Sequence, residues 1–278
     1  MRSLLFAAML AGTASPALAA PCGGDFDTFI AAFSREAAAQ QISPRTLAAA
    51  FEGLTPDPQV IALDRRQGVF KQSFEQFALP RINARLAKAQ RLLAQHGDLL
   101  ARVEQRFGVP GPILIAIWGL ETDFGVGVGR QPVIRAVATL AHDCRRSEMF
   151  QDQLMAALTI VQRGDLGVAE MRGAWAGELG QTQFLPTSYV KFAVDFDGNG
   201  RRDLIHSVPD ALASTANYLK GYGWERGQPW TEGTHNFSVL AAWNKAEVYQ
   251  KTIALFATRL AQSRLRVRPD PGVTTHRH

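Results

Sequence analysis

The 278-residue chain is poor in cysteine and histidine, and past its first twenty residues it has no hydrophobic run of membrane-spanning length. Its two cysteines, Cys22 and Cys144, cannot build a metal centre unaided, and neither sits in a CxxC context. The six histidines are scattered. His142 and Asp143 are adjacent, but neighbours in sequence seldom face each other on a helix, and no nucleophile-elbow serine accompanies them. Histidine catalysis and a zinc site are therefore not expected. The chain also lacks internal repeats, low-complexity linkers, a second apolar segment that could span a membrane, and any alternating stretch of strand length.

The first twenty residues, MRSLLFAAMLAGTASPALAA, read as a secretory signal. Arg2 gives the positive start, Leu4 to Ala11 the apolar core, and Ala17-Leu18-Ala19 the small-residue cleavage pattern. A lipoprotein signal is set aside, because Pro21 stands where a small residue should precede a lipidated Cys22. The expected mature protein is periplasmic, begins near Ala20 or Pro21, and acts as a monomer. In an oxidising compartment the isolated cysteine pair reads as a Cys22–Cys144 disulfide. The formal charge of +5 suits anionic polymers such as cell wall or lipid headgroups, although plain solubility explains it equally well. Export and the lack of a basic-aromatic array argue against nucleic acid.

Nearly every long segment has helical periodicity. Phe26, Phe29, Ile30 and Phe33 mark one face, and Ser43-Pro44 starts a helix through Phe51. Pro80 is expected to open a long helix towards Phe107 that breaks near Gly97, and Val109-Pro110 to start the next. Further helices are predicted over 132–141, 147–162, 207–221 and 237–260. A mainly α domain over 21–262, with a disordered basic tail over 263–278, is the expected organisation.

Pro110 to Leu120 is apolar all round, which argues for a helix inside the core, yet it runs straight into Glu121. Burial raises a carboxyl pKa, and the negative end of a helix dipole pushes the same way. That suits a general acid; a structural ion pair with an arginine is the plainer alternative. Gly125, Gly127 and Gly129 follow and would let an extended ligand approach the backbone. No second carboxylate stands out as a partner.

Two further segments carry chemistry. WAGELGQTQFLPTSY gathers Gln181, Gln183, Phe184, Ser188 and Tyr189 ahead of a helix at Pro186. Amides and rings suit sugars, while a turn leading into a capped helix explains the same residues. Asp195, Asp197, Asn199, the Arg201 carbonyl and Asp203 fit an EF-hand-like loop, with glycine at its sixth position. The twelfth position is His206, a poor ligand for a hard cation, so weak calcium binding or a turn held by the aspartates are both open.

IWGLETDFG, HDCRRSEMF, GELGQTQFLPTSY, DFDGNGRRD, ALASTANYLKGYGW and AAWN, in this order, cover residues 25 to 262. Together they resemble the B-type lytic murein transglycosylases, which act on peptidoglycan glycan strands and have a lysozyme-like (goose-type) helical fold. The resemblance implies Glu121 as sole acid/base and 1,6-anhydromuramoyl products, with no cofactor for the chemistry and a structural calcium at most. It implies substrate contacts from Gln183, Phe184, Tyr218, Trp243 and Asn244. Gln181 and Tyr189 lie in the same motif and are added as candidates. Arg145 and Arg146 match a basic pair expected to meet peptide-stem carboxylates, a solvated charged face being the alternative. Ala174 departs from a serine common in the family; Gln181 could replace that hydroxyl. A hydrolytic muramidase using the same glutamate, and a non-catalytic wall-binding protein, remain the competing functions.

Overall fold

The computed structural model describes residues 20–66 and 72–267. The expected signal segment, apart from Ala20, and the tail from 268 onward lie outside the described residues. Among those described, the fold is twelve helices and one two-stranded ribbon, mainly α as the periodicity requires. In chain order these are α1 (Phe26–Ala39), α2 (Pro44–Phe51), α3 (Pro58–Arg65), α4 (Phe74–Gln95), α5 (Gly97–Phe107), α6 (Gly111–Thr122), α7 (Val133–His142), α8 (Ser147–Gln162), α9 (Pro186–Phe192), α10 (Val208–Gly221), α11 (His235–Trp243) and α12 (Glu247–Val267). The ribbon pairs β1 (Gln131–Pro132) with β2 (Arg172–Gly173), antiparallel.

Two apolar cores form. One collects α4, α5, α6, α10, α11 and α12, and the other α1, α2, α3, α7, α8 and α9. Tyr218 and Trp243 pack against both, so the seam between the cores is aromatic. Helix α6 is the axis of the first core: Ile113, Leu114, Ile115, Ala116 and Ile117 are fully buried. It stops where Asp123 turns left-handed (φ 53°) and pairs with Arg85 and Lys88 of α4.

Three expected boundaries are corrected. Helix α4 starts at Phe74 rather than Pro80, because Ser73 and Gln76 form a reciprocal capping box ahead of it. Pro80 lies inside the helix and forgoes one backbone bond. The predicted 237–260 helix is two helices. Asn244 leaves the helical region (φ −147°, ψ 125°), and its Oδ1 accepts from Ala246 N at 2.9 Å, forming an Asx turn just ahead of α12. Finally, α12 continues to Val267, past the start of the expected tail.

The Cys22–Cys144 disulfide is present and ties the segment before α1 to the loop before α8. It closes a loop with a sequence separation of 122. Replacing both cysteines by serine should cost about 2–4 kcal/mol, by widening the unfolded ensemble, and lower the urea midpoint accordingly. Denatured, unreduced protein should titrate no free thiol; a count of two would show that the bridge does not form.

Candidate functional site

Glu121 is the penultimate residue of α6 and lines a cavity of about 330 Å³ at the seam between the cores. Its neighbours come from two other places, the loop between β2 and α9 and the break between α11 and α12. Trp243, the last residue of α11, donates its Nε1–H to Glu121 Oε1 at 2.8 Å. Tyr249, in the first turns of α12, donates its hydroxyl to the same oxygen, also at 2.8 Å. Oε2 receives no hydrogen bond from any described residue. The two oxygens are thereby distinguished: Oε1 is held, and Oε2 is available to carry a proton.

Burial is the main influence on Glu121 and raises its pKa. The Trp243 and Tyr249 hydrogen bonds oppose it by favouring the charged form, and the nearby Glu178 adds to the rise. No arginine pairs with Glu121, so the plainer structural reading of this residue fails among the described residues. The Tyr249 hydroxyl is pushed well up by burial and by the adjacent Glu121 carboxylate, so it stays protonated and remains a donor.

The opposite wall is the loop 173–185. Gln183 has a left-handed backbone (φ 57°), and its Nε2 donates to Gly180 O at 2.9 Å and Val128 O at 3.3 Å. Its amide oxygen accepts nothing from the described residues. Phe184 meets Tyr218 and Trp243 edge to face, with ring centroids 5.7 and 5.6 Å apart. Tyr218 donates its hydroxyl to Ala242 O at 2.6 Å and so steadies the end of α11. Gln183, Phe184, Tyr218, Trp243 and Asn244 all line the cavity with Glu121, as does Ala174.

Four expected contacts are not where the sequence suggested. Gln181 is buried: its Oε1 accepts from Trp118 Nε1 at 3.0 Å, and its Nε2 donates to Ile205 O at 3.1 Å. It clips the loop to α6 and cannot supply the contact that Ala174 lacks. Tyr189 is fully buried, with its hydroxyl on Arg202 O. Arg145 and Arg146 both pair with Asp64, which is only 1% exposed, so their charges answer a buried carboxylate. Gly125 and Gly129 serve internal packing rather than a ligand. A Cβ on Gly125 would lie 2.7 Å from Gln181 Oε1, and one on Gly129 would enter the Gly173 carbonyl.

Two residues were missed. Tyr249 sat inside what read as one uninterrupted helix; the signal was Asn244, a residue that favours an Asx turn over a helix interior. Glu178 lies in the quoted loop motif and shares the cavity with Glu121, although far from it in sequence. Its pKa is also raised, chiefly by burial, against hydrogen bonds from its own and Ala176 backbone N–H groups and against the charge of Arg146.

The acidic loop departs from the EF-hand count. Asp195, Asp197 and Asp210 bring carboxylate oxygens within 4.8 Å of one another. Asp203 is turned away: its Oδ1 accepts from Ile205 N and His206 N, and its Oδ2 pairs with His206 Nδ1. Asn199 Oδ1 accepts from Arg201 N, and the Arg201 guanidinium reaches Asp165 O and Glu170. Asp210, in the first turn of α10, joins this cluster from beyond the counted loop, while its Oδ1 accepts from Phe196 N and Asp197 N and its Oδ2 from Asp203 N.

Comparison with known proteins bears on this geometry. The model of the Transglycosylase SLT domain family matches residues 25–234. Membrane-bound lytic murein transglycosylase B of Escherichia coli (strain K12) is 39% identical over 134 residues, which are 48% of this chain and 37% of that protein. The match thus spans well under half of that relative's length. The crystal structure of SltB3 from Pseudomonas aeruginosa in complex with NAG-anhNAM-pentapeptide superposes with a TM-score of 0.81 at 34% identity, covering 86% of this chain and 80% of that one. An Escherichia coli lytic transglycosylase in complex with calcium shares the fold at 24% identity and a TM-score of 0.70, covering 88% of this chain and 97% of that one.

The raised pKa of Glu121 has a stability consequence. Below the ordinary glutamate value of 4.5 the folded and unfolded chains are both protonated, and Glu121 adds no pH dependence. Between 4.5 and the raised value the folded chain binds the extra proton, so stability falls as pH rises through that window. Glu121→Gln removes this penalty while its amide oxygen still accepts from Trp243 and Tyr249. Its melting temperature should exceed that of the parent at pH 8, with the gap closing towards pH 4; a pH-independent gap would contradict the assignment.

Proposed function

The chain belongs to the Transglycosylase SLT domain family and has its lysozyme-like helical fold, and from that premise we propose that it is a periplasmic lytic transglycosylase of peptidoglycan. It cleaves the β-1,4 bond between N-acetylmuramic acid and N-acetylglucosamine. The observation that carries this reading is Glu121 itself: a part-buried acid lining an amide- and aromatic-walled cavity, with both protein donors on one oxygen and none on the other among the described residues.

The chemistry balances with one acid. Glu121 Oε2 gives its proton to the glycosidic oxygen as the bond to the muramoyl anomeric carbon breaks, and both bonding electrons leave with that oxygen. The carboxylate so formed is held by Trp243 and Tyr249. It then takes the proton of the sugar's own 6-hydroxyl as that oxygen closes on the anomeric carbon. The product is a 1,6-anhydro ring, Glu121 ends protonated as it began, and no water is consumed. Gln183, Phe184, Tyr218, Trp243 and Asn244 hold the glycan. The relative SltB3 is seen with NAG-anhNAM-pentapeptide, the class of product this route leaves. Arg145 and Arg146 have no part in this reading, since Asp64 engages both.

The hydrolytic alternative, in which water replaces the 6-hydroxyl, has one observation in its favour: Glu178 is a second carboxylate in the cavity. Mass spectrometry of digested peptidoglycan separates the two. Anhydro ends, lighter than reducing ends by one water, are expected from the parent, and Glu121→Gln should lose at least about 10²-fold in turnover. Reducing ends would establish the muramidase instead, and near-zero turnover in both proteins would leave only a wall-binding role.

The Asp195, Asp197 and Asp210 oxygens suit a hard cation, and a calcium there would brace the loop beside α10 without entering the reaction. Chelator should then lower the melting temperature, and millimolar calcium should restore it. Identical melting in both conditions would remove calcium from the account.

A further inference from the structure

Glu178 has no role in the single-acid route, yet it occupies the same cavity as Glu121. Its position is tightly set. Its backbone carbonyl accepts from Ala174 N at 2.9 Å, its Oε2 accepts from Ala176 N at 3.2 Å, and bridges from Leu179 to Gly173 and to Phe184 hold the next residue. Gly173 must be glycine here, since a Cβ would enter the Glu178 carbonyl. Oε1 receives no hydrogen bond from another described residue.

The charges around it are equally defined. Arg146, in the loop ahead of α8, is the cation that acts on Glu178, but its guanidinium pairs with Asp64 of α3, and no ion pair to Glu178 forms among the described residues. Across the cavity stand Glu121 of α6, whose Oε1 is held by Trp243 and Tyr249, and the Tyr218 hydroxyl of α10, which is turned to Ala242. A half-buried carboxylate that forms no ion pair of its own is costly. A turn that only needed Ala176 N satisfied could use a neutral acceptor.

We propose that Glu178 is a second acid of the cleavage site, whose carboxylate faces the sugar that Glu121 protonates and stabilises the positive charge developing at its anomeric carbon. The inference rests on the transglycosylase reading. The two acids divide the work: Glu121 donates and recovers the proton, while Glu178 supplies negative charge and forms no bond. Favourable electrostatics of this kind act only as charge develops, so they lower the barrier without tightening ground-state binding. The same negative charge opposes ionisation of Glu121 and so keeps it protonated to higher pH.

The test uses Glu178→Gln in the full chain, beside the parent and Glu121→Gln, on purified peptidoglycan with soluble product released as the readout. Glutamine keeps an oxygen for Ala176 N and loses only the charge. Expected are an unchanged melting temperature, a kcat lower by about tenfold or more with KM nearly constant, and an alkaline limb of the pH–rate profile moved to lower pH. Glu178→Ala should be no more active than Glu178→Gln. Should Glu178→Gln match the parent in kcat and pH profile while Glu178→Ala fails, Glu178 is a turn clip and the inference is overturned. Equal rates for the parent and Glu121→Gln would instead overturn the transglycosylase reading, and the inference would fall with it.

Discussion

Two hydrogen bonds to a single carboxylate oxygen set the geometry of the whole site. Glu121 Oε1 accepts from Trp243 and Tyr249, residues on different helices that meet only because the chain breaks between them. The break depends on Asn244, which leaves helical geometry, makes an Asx turn to Ala246 N through its side chain, and offers its carbonyl to the Gln250 side chain at 2.9 Å. An uninterrupted helix would carry Trp243 and Tyr249 on a rigid 3.6-residue spiral, where six residues of separation place them on diverging faces. Bending the chain lets both converge on one atom. Helix α12 then packs back along α4 and α6, so the residues that hold Glu121 are fixed by the core that buries it.

The facing wall is organised by a different economy of contacts. The loop between β2 and α9 buries Ala176, Leu179 and Phe184 in the second core and is further held by polar clips and backbone proximity. Gln181 ties it to Trp118 of α6, Thr122 Oγ1 donates to Gln181 O at 2.5 Å, and the Gly129–Gly173 approach closes the ribbon behind it. Each clip reaches α6 or the segment that follows it, the same part of the chain that carries Glu121. The two walls are therefore registered to one helix, which is how a loop presents Gln183 and Phe184 at a defined position relative to the acid.

The sequence made the helices legible because amphipathic spacing reports burial directly, and α8 runs over 147–162 as predicted. It made Glu121 legible because an acid at the end of an all-apolar helix conflicts with its surroundings. What it hid follows from the same physics. Gln181 and Tyr189 share a motif with Gln183, but adjacency in sequence says nothing about side-chain direction, and Gln181 in the loop and Tyr189 on α9 both point into the protein. Arg145 and Arg146 looked free because Asp64, their counter-charge, lies far along the chain on α3. Asp210 was hidden by counting loop positions, because it reaches the acidic cluster from the next helix. Glu178 was in plain view, but a carboxylate pair is a relation in space, and spacing along the chain could not supply it.

The opposing influences on Glu121 are what a single acid needs if it must act twice. A purely apolar setting would raise its pKa without limit and make the proton too hard to give up. A fully hydrogen-bonded setting would leave it ionised and with nothing to donate. Burial supplies the first tendency, and the Trp243 and Tyr249 donors supply the second. Because both donors sit on Oε1, they stabilise the carboxylate left after donation without competing for the proton on Oε2. The hydrogen bonds thus offset part of the rise that burial alone would impose on Glu121. That balance leaves room for a nearby charge such as Glu178 to tune it, since a poised group responds more to its neighbours than one already committed to either form.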